Sequence, residues 1–275
     1  MPGTLYVVAT PIGNLEDLSR RGAEVLGSVE MIAAEDTRRT RVLLEAIGVT
    51  GVRVVTLHSH NETAATESVV ARLRAGADVA LVSDAGTPLV SDPGFELVRC
   101  CWSEEVPVVP VPGASAIAAV LSVCPLPSAR FLFEGFLPAK PTARQERLRE
   151  LVDLGVPVVF FEAPHRIAAT LEDLARLAAD RRVMIGREMT KRHEQYLCGA
   201  PLELLRQLLA GDHVRGEFVC VLEGGDVLAA PAQVRRTMET LTRELPPAQA
   251  ARLGAALLGR SKRELYEIAL TLRSE

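Results

Sequence analysis

The chain has no apolar run approaching the roughly 18 residues that a membrane-spanning helix needs, and no Gly-x-Gly-x-x-Gly, internal repeat or low-complexity segment. Without a hydrophobic span, the protein is not expected in a membrane. Without the glycine fingerprint, the usual nicotinamide or flavin signature is missing. Cysteine is scarce: five residues at irregular spacings, with Cys100 and Cys101 adjacent. An odd, irregular set argues against the disulfide framework of a secreted protein. No basic leader precedes residues 5–9, so a reducing cytoplasm is the expected compartment. Positive charge is not in excess either. With 31 Lys and Arg against 35 Asp and Glu, the formal charge is −4, which excludes a uniformly basic coat but leaves room for a local phosphate-binding patch. Arginine outnumbers lysine, which fits either planar phosphate recognition or a coding bias.

What is present is an ordinary globular mixture, 48% hydrophobic and 24% charged over 275 residues, enough for two medium domains. Short Val/Ile/Leu-rich runs at 5–9, 31–34, 53–57, 79–83 and 106–111 alternate with helical patterns at 15–26, 40–47, 62–74, 94–102 and 114–123. This alternation predicts an α/β lobe on a mostly parallel sheet, its central strands apolar on both faces. Two prolines in residues 124–128 mark a linker. A second lobe then reads as strands at 131–133, 157–162, 183–187 and 217–222 with helices at 143–154, 167–179 and 202–210. After Gly224-Gly225 the chain reads as a helical tail. The expected domains are 1–123, 124–228 and 229–275.

Chemistry-bearing residues gather where predicted strands end. Ser83-Asp84-Ala85-Gly86-Thr87-Pro88 and its continuation to Pro93 follow the fourth strand, where open α/β sheets bind ligands. Gly86 allows close backbone approach, Pro88 stiffens the turn, and the carboxylates and hydroxyls suit a ribose or an ammonium. A ligand-free polar turn is the plainer alternative. Pro112-Gly113-Ala114-Ser115 places a helix cap, or an anion site, after the fifth strand. Thr10-Pro11-Ile12-Gly13-Asn14 follows the first strand, and Glu35-Asp36-Thr37-Arg38 the second, as a proton acceptor or as a cap with a self-paired arginine. His58, His60 and Glu62, spaced by two, would share one face of an extended strand and could hold a metal. Gly254 to Ser261 imitates a phosphate-binding loop, but it follows a helical pattern rather than a strand, so the match is chance.

Taken in order, Val8-Ala9-Thr10-Pro11-Ile12-Gly13-Asn14-Leu15, 34–38, 59–62, 83–94, 112–116, Phe133-Glu134-Gly135-Phe136, 162–166, 186–191 and Gly216-Glu217-Phe218 resemble the tetrapyrrole-methylase-like class of S-adenosylmethionine-dependent methyltransferases. Within that class the match points to the branch acting on small-subunit ribosomal RNA. The resemblance implies a two-lobed α/β fold with a cofactor cleft between the lobes and a small helical C-terminal extension. It also implies methyl transfer from S-adenosylmethionine to a cytidine ribose 2′-hydroxyl, with no metal, by a cytoplasmic homodimer. Carried over by position, cofactor contacts fall to Thr10, Pro11, Asp84, Gly86, Thr87, Val90, Ser115, Ala116, Phe161, Gly186 and Glu217. Relatives carry Gly-Asp-Pro where this chain has Gly86-Thr87-Pro88. Candidate bases are Glu35, Asp36, His60, Glu62 and Glu188, with the Glu35/His60 region favoured. RNA contacts are expected from Arg38, Arg39, Arg41, Arg166, Arg187, Lys191 and Arg192, and from the tail at Arg260, Lys262 and Arg263. Leu253, Leu257, Leu265 and Ile268 are expected to pack the extension. The rival readings are a methyltransferase for a tetrapyrrole or other small metabolite, a metal-dependent hydrolase using His58, His60 and Glu62, and a non-catalytic RNA-binding protein.

Overall fold

A computed structural model describes residues 1–58, 61–211, 214–225 and 231–274. Its first sheet contains β1 (Leu5–Val8), β2 (Met31–Ala34), β3 (Arg53–Thr56), β4 (Val79–Val82) and β5 (Val108–Val111), in the order β3-β2-β4-β1-β5. Every pairing is parallel. β2 and β4 are buried at each position, because helices cover both faces. One face packs through Leu26, Ile32, Leu43 and Leu44, the other through Met31, Val69, Leu73, Leu81 and Leu97. Each fully buried aliphatic contributes roughly 1.5–3 kcal/mol.

Connecting helices are α1 (Arg20–Ser28), α2 (Thr37–Ala46), α3 (Glu62–Arg74), α4 (Phe95–Ser103) and α5 (Ala116–Ser122). The pattern that predicts one helix over 15–26 is broken in two. Asn14 Oδ1 accepts from Glu16 N and caps a 3-10 turn at Leu15–Asp17, and Ser19 Oγ then caps α1 by accepting from Gly22 N. α2 begins three residues before the predicted start because Asp36 caps it.

The second sheet runs β6-β7-β10-β8-β9, built from β6 (Leu132–Phe136), β7 (Val158–Glu162), β8 (Val183–Arg187), β9 (Gln195–Gly199) and β10 (Phe218–Leu222). β9 is an edge strand that the sequence pattern misses: Gln-Tyr-Leu-Cys-Gly is mixed, without an apolar run. α6 (Pro141–Asp153), α7 (Ile167–Leu177) and α8 (Pro201–Ala210) accompany this sheet.

α9 (Pro231–Glu244), α10 (Pro247–Leu258) and α11 (Lys262–Ser274) follow. They share a core containing Val234, Met238, Ala250, Ala251, Leu258 and Leu265, with Ile268 packed against it. Leu253 and Leu257 depart from expectation, being 41% and 66% exposed. α10 turns its small residues inward instead: a Cβ on Gly254 would lie 2.7 Å from Met238 Sδ. That close approach leaves the larger leucines on the outer side. Gly254 is helical, so no phosphate-binding loop forms there.

By compactness the chain divides into Met1–Val123 with Gly186–Tyr196 and Gly216–Val219, and Cys124–Ile185 with Leu197–Arg215 and Cys220–Glu275. Residues 186–196, expected among 124–228, therefore pack with the first unit. Asn14 N donates to Thr190 Oγ1 at 3.1 Å, and a Cβ on Gly186 would lie 3.2 Å from Val120 Cγ2. Among the described residues no helix is long and apolar enough to cross a membrane.

Candidate functional site

β2 connects through α2 to β3 on one side, whereas β4 connects through α4 to β5 on the other, so the strand order reverses between β2 and β4. Parallel sheets bind ligands beyond the carboxyl ends of their strands at such a reversal. There an open cleft of about 130 Å³ is lined by Thr10, Pro11, Gly13, Arg39, Val42 and Asp84 among others. Asp84 organises it. Its Oδ1 accepts from Asp36 N at 3.0 Å, its Oδ2 lies 3.4 Å from Arg39 Nη1, and its own N–H points to Glu35 Oε2 at 3.5 Å.

The carboxylates here have different characters. Asp36 caps α2 and chelates Arg38, its Oδ1 accepting from Arg38 N at 2.8 Å. Those side-chain and then backbone hydrogen bonds hold its pKa at about 2, which makes it a weak proton acceptor. Asp92 is the opposite case: burial pushes its carboxyl up to about 6, with a Ser83 hydrogen bond opposing and the Glu35 and Asp84 charges adding to the rise. A carboxyl titrating near neutrality is one signature of a functional position. In the sequence Asp92 is one carboxylate of the 83–93 loop; its burial comes from the fold.

A folded-state pKa above the unfolded one means that stability falls as pH rises from about 4 through about 6. Asp92→Asn is therefore expected to be more stable than wild type at pH 7.5, by about 1–2 kcal/mol after solvent screening. The difference should vanish near pH 4. Urea unfolding at the two pH values checks this, and equal stability of the two proteins at pH 7.5 would refute it.

Adjacent loops are laced together by backbone. Thr10 N donates to Gly86 O at 2.8 Å and Gly86 N to Thr10 O at 3.0 Å, while the buried Thr10 hydroxyl donates to Ser83 O at 3.1 Å. Gly86 takes φ +80°, a conformation that favours glycine. Thr87 Oγ1 donates to Ala114 O at 3.3 Å, and Ser115 Oγ accepts from Ala118 N, capping α5. Leu89 and Ser91 sit at φ +71° and +70°, each costing about 1–3 kcal/mol, strain that collects where structure serves function. Val90 and Ala116 are half-buried beside these loops. This set suits S-adenosylmethionine: glycine-opened backbone accepts a nucleoside at close range, and the carboxylates oppose its cationic sulfonium and ammonium groups.

Other predicted residues are committed to structure. Glu62 Oε1 accepts from Gly94 N at 2.9 Å and Glu96 N at 3.0 Å, capping α4. His60 lies outside the described residues, and the His58 backbone N–H donates to Asn61 Oδ1. Among the described residues no group of three or more His, Cys, Asp or Glu is placed to hold a metal. Glu188 Oε1 accepts from Glu217 N at 2.9 Å and from Lys191 Nζ at 3.0 Å, and Lys191 also pairs with Glu217 at 3.1 Å. Burial raises the Glu188 pKa, but these hydrogen bonds outweigh it and leave the group below the usual carboxylate range. Residues read as base, RNA contact and cofactor contact thus bind one another. Gly186 is buried, where a Cβ would lie 2.7 Å from Met189 Sδ.

The basic residues fall into two groups. Arg38, Arg39 and Arg41 form an exposed cluster on the first turns of α2, and Arg192, Lys262 and Arg263 are also exposed. Arg166 and Arg187 face inward. Arg166 Nε pairs with buried Glu162 at 2.9 Å and its Nη2 donates to Leu137 O, while Arg187 is buried. Arg260, largely shielded, pairs with Glu264. Phe161 packs edge-on against Phe133 and Phe136.

Known proteins match this chain in sequence and in fold. The family Tetrapyrrole (Corrin/Porphyrin) Methylases matches residues 4–205, and the RsmI C-terminal HTH domain matches residues 229–273. The Xylella fastidiosa (strain Temecula1) protein called ribosomal RNA small subunit methyltransferase I is 49% identical over 269 residues, covering 96% of this chain and 98% of its own. Its namesake from Escherichia coli O157:H7 is 45% identical over 273 residues, covering 98% and 95%. Among solved structures, cobalt precorrin-4 methyltransferase superposes with TM-score 0.61 at 15% identity, covering 80% of this chain and 94% of its own. Uroporphyrin-III C-methyl transferase from Thermus thermophilus, in complex with S-adenyl homocysteine, gives 0.55 at 18%, covering 82% and 98%. With one family matched across most of its length and relatives of this identity aligned nearly end to end, the chain belongs to the tetrapyrrole methylases, as a methyltransferase of the ribosomal RNA small subunit methyltransferase I group.

Proposed function

We propose that this protein transfers a methyl group from S-adenosylmethionine to the ribose 2′-hydroxyl of a cytidine in small-subunit ribosomal RNA. The observation that carries the reading is identity of 45–49% to relatives of that name over 96–98% of this chain, including the separately matched tail. A tetrapyrrole acceptor would give no reason for that tail or for the exposed arginines of α2. The same reading divides the chain at 1–123, 124–228 and 229–275 and makes it a cytoplasmic homodimer, the latter checked by sedimentation at micromolar concentration, where a monomer would refute it.

S-adenosylmethionine, when bound, supplies the electrophilic methyl group. The protein's part is positioning, because in-line transfer depends on orientation above all. Thr10, Pro11, Asp84, Gly86, Thr87, Val90, Ser115 and Ala116 would hold the cofactor, with Phe161, Gly186 and Glu217 as further contacts carried over from the family. A ribose hydroxyl is a poor nucleophile, so a base assists. The Glu35/His60 region is the proposed source of the proton acceptor. Asp36 is too weakly basic, and Glu62 and Glu188 are occupied by N–H groups. Arg38, Arg39, Arg41, Arg192, Lys262 and Arg263 would grip phosphates, which position RNA without reading sequence.

Incubating labelled S-adenosylmethionine with small ribosomal subunits and with naked ribosomal RNA, then mapping the modified nucleotide, tests the assignment. Label on a base, or on a tetrapyrrole but no RNA, would overturn it. Arg38→Glu with Arg41→Glu is expected to weaken RNA binding about 10-fold or more and to flatten its salt dependence by roughly two phosphate contacts. An unchanged salt slope would remove α2 from the RNA-binding face.

A further inference from the structure

We propose that the exposed ring of Phe136, at the carboxyl end of β6 and backed by Phe133 and Phe161, is a stacking site for an unpaired nucleobase of single-stranded RNA. Along a regular strand alternate residues share a face, so Phe133 and Phe136, three apart, would point to opposite sides. They do not. β6 pairs Phe133 with Val159, then Gly135 with Phe160 and Phe136 with Phe161, leaving Glu134 as an extra residue. The bulge brings Phe136 to the face of Phe133. Both rings then meet Phe161 edge to face, at centroid distances of 5.1 and 5.5 Å.

The bulge is held in place. Glu134 receives both arms of Arg147, at 2.6 and 2.7 Å, from α6. Gly135 supplies φ +75°, and the chain just beyond Phe136 is tied down where Leu137 O accepts from Arg166. Bulges commonly re-aim a side chain beside a functional site. Here the side chain re-aimed is 56% exposed.

Core packing does not account for such an arrangement, since a regular strand could have turned Phe136 elsewhere without the bulge. An edge-to-face pair also cannot cover both faces of the exposed ring, which leaves a flat apolar surface open. Arg130 and Lys140, both exposed, flank the strand in sequence. An aromatic surface with nearby cations is the pattern that takes a base by stacking and its phosphates by charge. The choice of RNA as the source of the base rests on the proposed function.

The test compares a labelled oligocytidylate with an abasic oligoribonucleotide of equal length, by fluorescence anisotropy at fixed salt. Wild type is expected to bind the base-bearing oligomer about tenfold more tightly. Phe136→Leu should erase the preference and Phe136→Tyr keep it. Arg147→Met, which frees the bulge, should also erase it. S-adenosylmethionine affinity of Phe136→Leu, measured by calorimetry, should stay within about twofold of wild type. No preference in wild type, or a preference retained by Phe136→Leu, would overturn the proposal. So would a parallel loss of cofactor affinity, which would give the ring to the cofactor's adenine instead. A protein that shows the preference but methylates no ribosomal RNA would sink the functional reading and leave this site standing.

Discussion

Adding one methyl group at Gly13 is expected to lower kcat/KM for methyl transfer roughly 10- to 100-fold, since misplacing a reacting group by about 1 Å can cost 100-fold. A Cβ there would lie 2.5 Å from Lys191 Cγ, 2.7 Å from Thr190 Oγ1 and 3.0 Å from Met189 O. None of the three yields easily. The Lys191 ammonium is held between Glu188 and Glu217. Thr190 receives the Asn14 N–H while fixed at φ +64°, unusual for a β-branched residue, and Met189 contributes backbone. The 10–14 loop must therefore move, and with it Thr10 and Pro11 in the cleft wall. Steady-state kinetics of Gly13→Ala, with a thermal melt showing that the variant is folded, would decide the matter. Wild-type kcat/KM in a folded variant would mean that the loop's position does not limit catalysis.

The largest expected stability effect lies elsewhere, at Arg144→Met. Arg144 and Asp173 form a pair whose side chains are 5% and 1% exposed, joined at 2.8 Å. Removing one partner of a buried pair typically costs about 3–5 kcal/mol, because the other charge is left in a medium that solvates it poorly. Gln145 and Arg176 still reach Asp173, so the lower end of that range is expected. Replacing both partners, as Arg144→Met with Asp173→Leu, should recover much of the loss. Urea unfolding of the second unit would measure each variant, and a single variant within 1 kcal/mol of wild type would contradict the argument.

The pair also predicts a pH effect. Burial raises the Asp173 pKa, but hydrogen bonds from Arg144, Arg176 and Gln145 outweigh it and bring the value below 3.8. A depressed folded-state pKa contributes stability above the unfolded value and loses it as pH falls through the folded one. Wild type should hold this contribution down to about pH 4 and lose it below. In Arg144→Met the carboxyl rises, so the acid loss should begin at a higher pH.

Local pattern and tertiary environment divided the work in an instructive way. Strands β2 and β8 and helix α3 were legible to the residue because continuous apolar runs, or a 3.6-residue period, bury the same faces in any parallel α/β sheet. The loops at 10–14, 35–38, 83–94 and 112–115 were legible for a similar reason. Their glycines, prolines and carboxylates follow apolar strands, and parallel topology sends all such loops to one edge. β9 was not legible, since an edge strand needs no apolar run.

The chemistry of individual groups was much less readable. Asp36, Glu62 and Glu188 stood beside the favoured Glu35/His60 region as candidate bases, yet the first is held ionised by Arg38 and the other two accept backbone N–H groups from distant segments. Arg166 and Arg187 looked like surface cations but are turned inward. Asp92 stood only as one carboxylate of the 83–93 loop, and it is the carboxyl that burial brings close to neutrality. A side chain's pKa and availability depend on partners far away in sequence, such as Glu62 with Gly94 or Glu188 with Glu217, and no window of neighbouring residues encodes them. The sequence alone thus determined the α/β plan, the family and the edge of the sheet where ligands gather. Only the tertiary structure decided which of the residues at that edge remain free to act, because desolvation and hydrogen bonding arise when the chain has closed on itself.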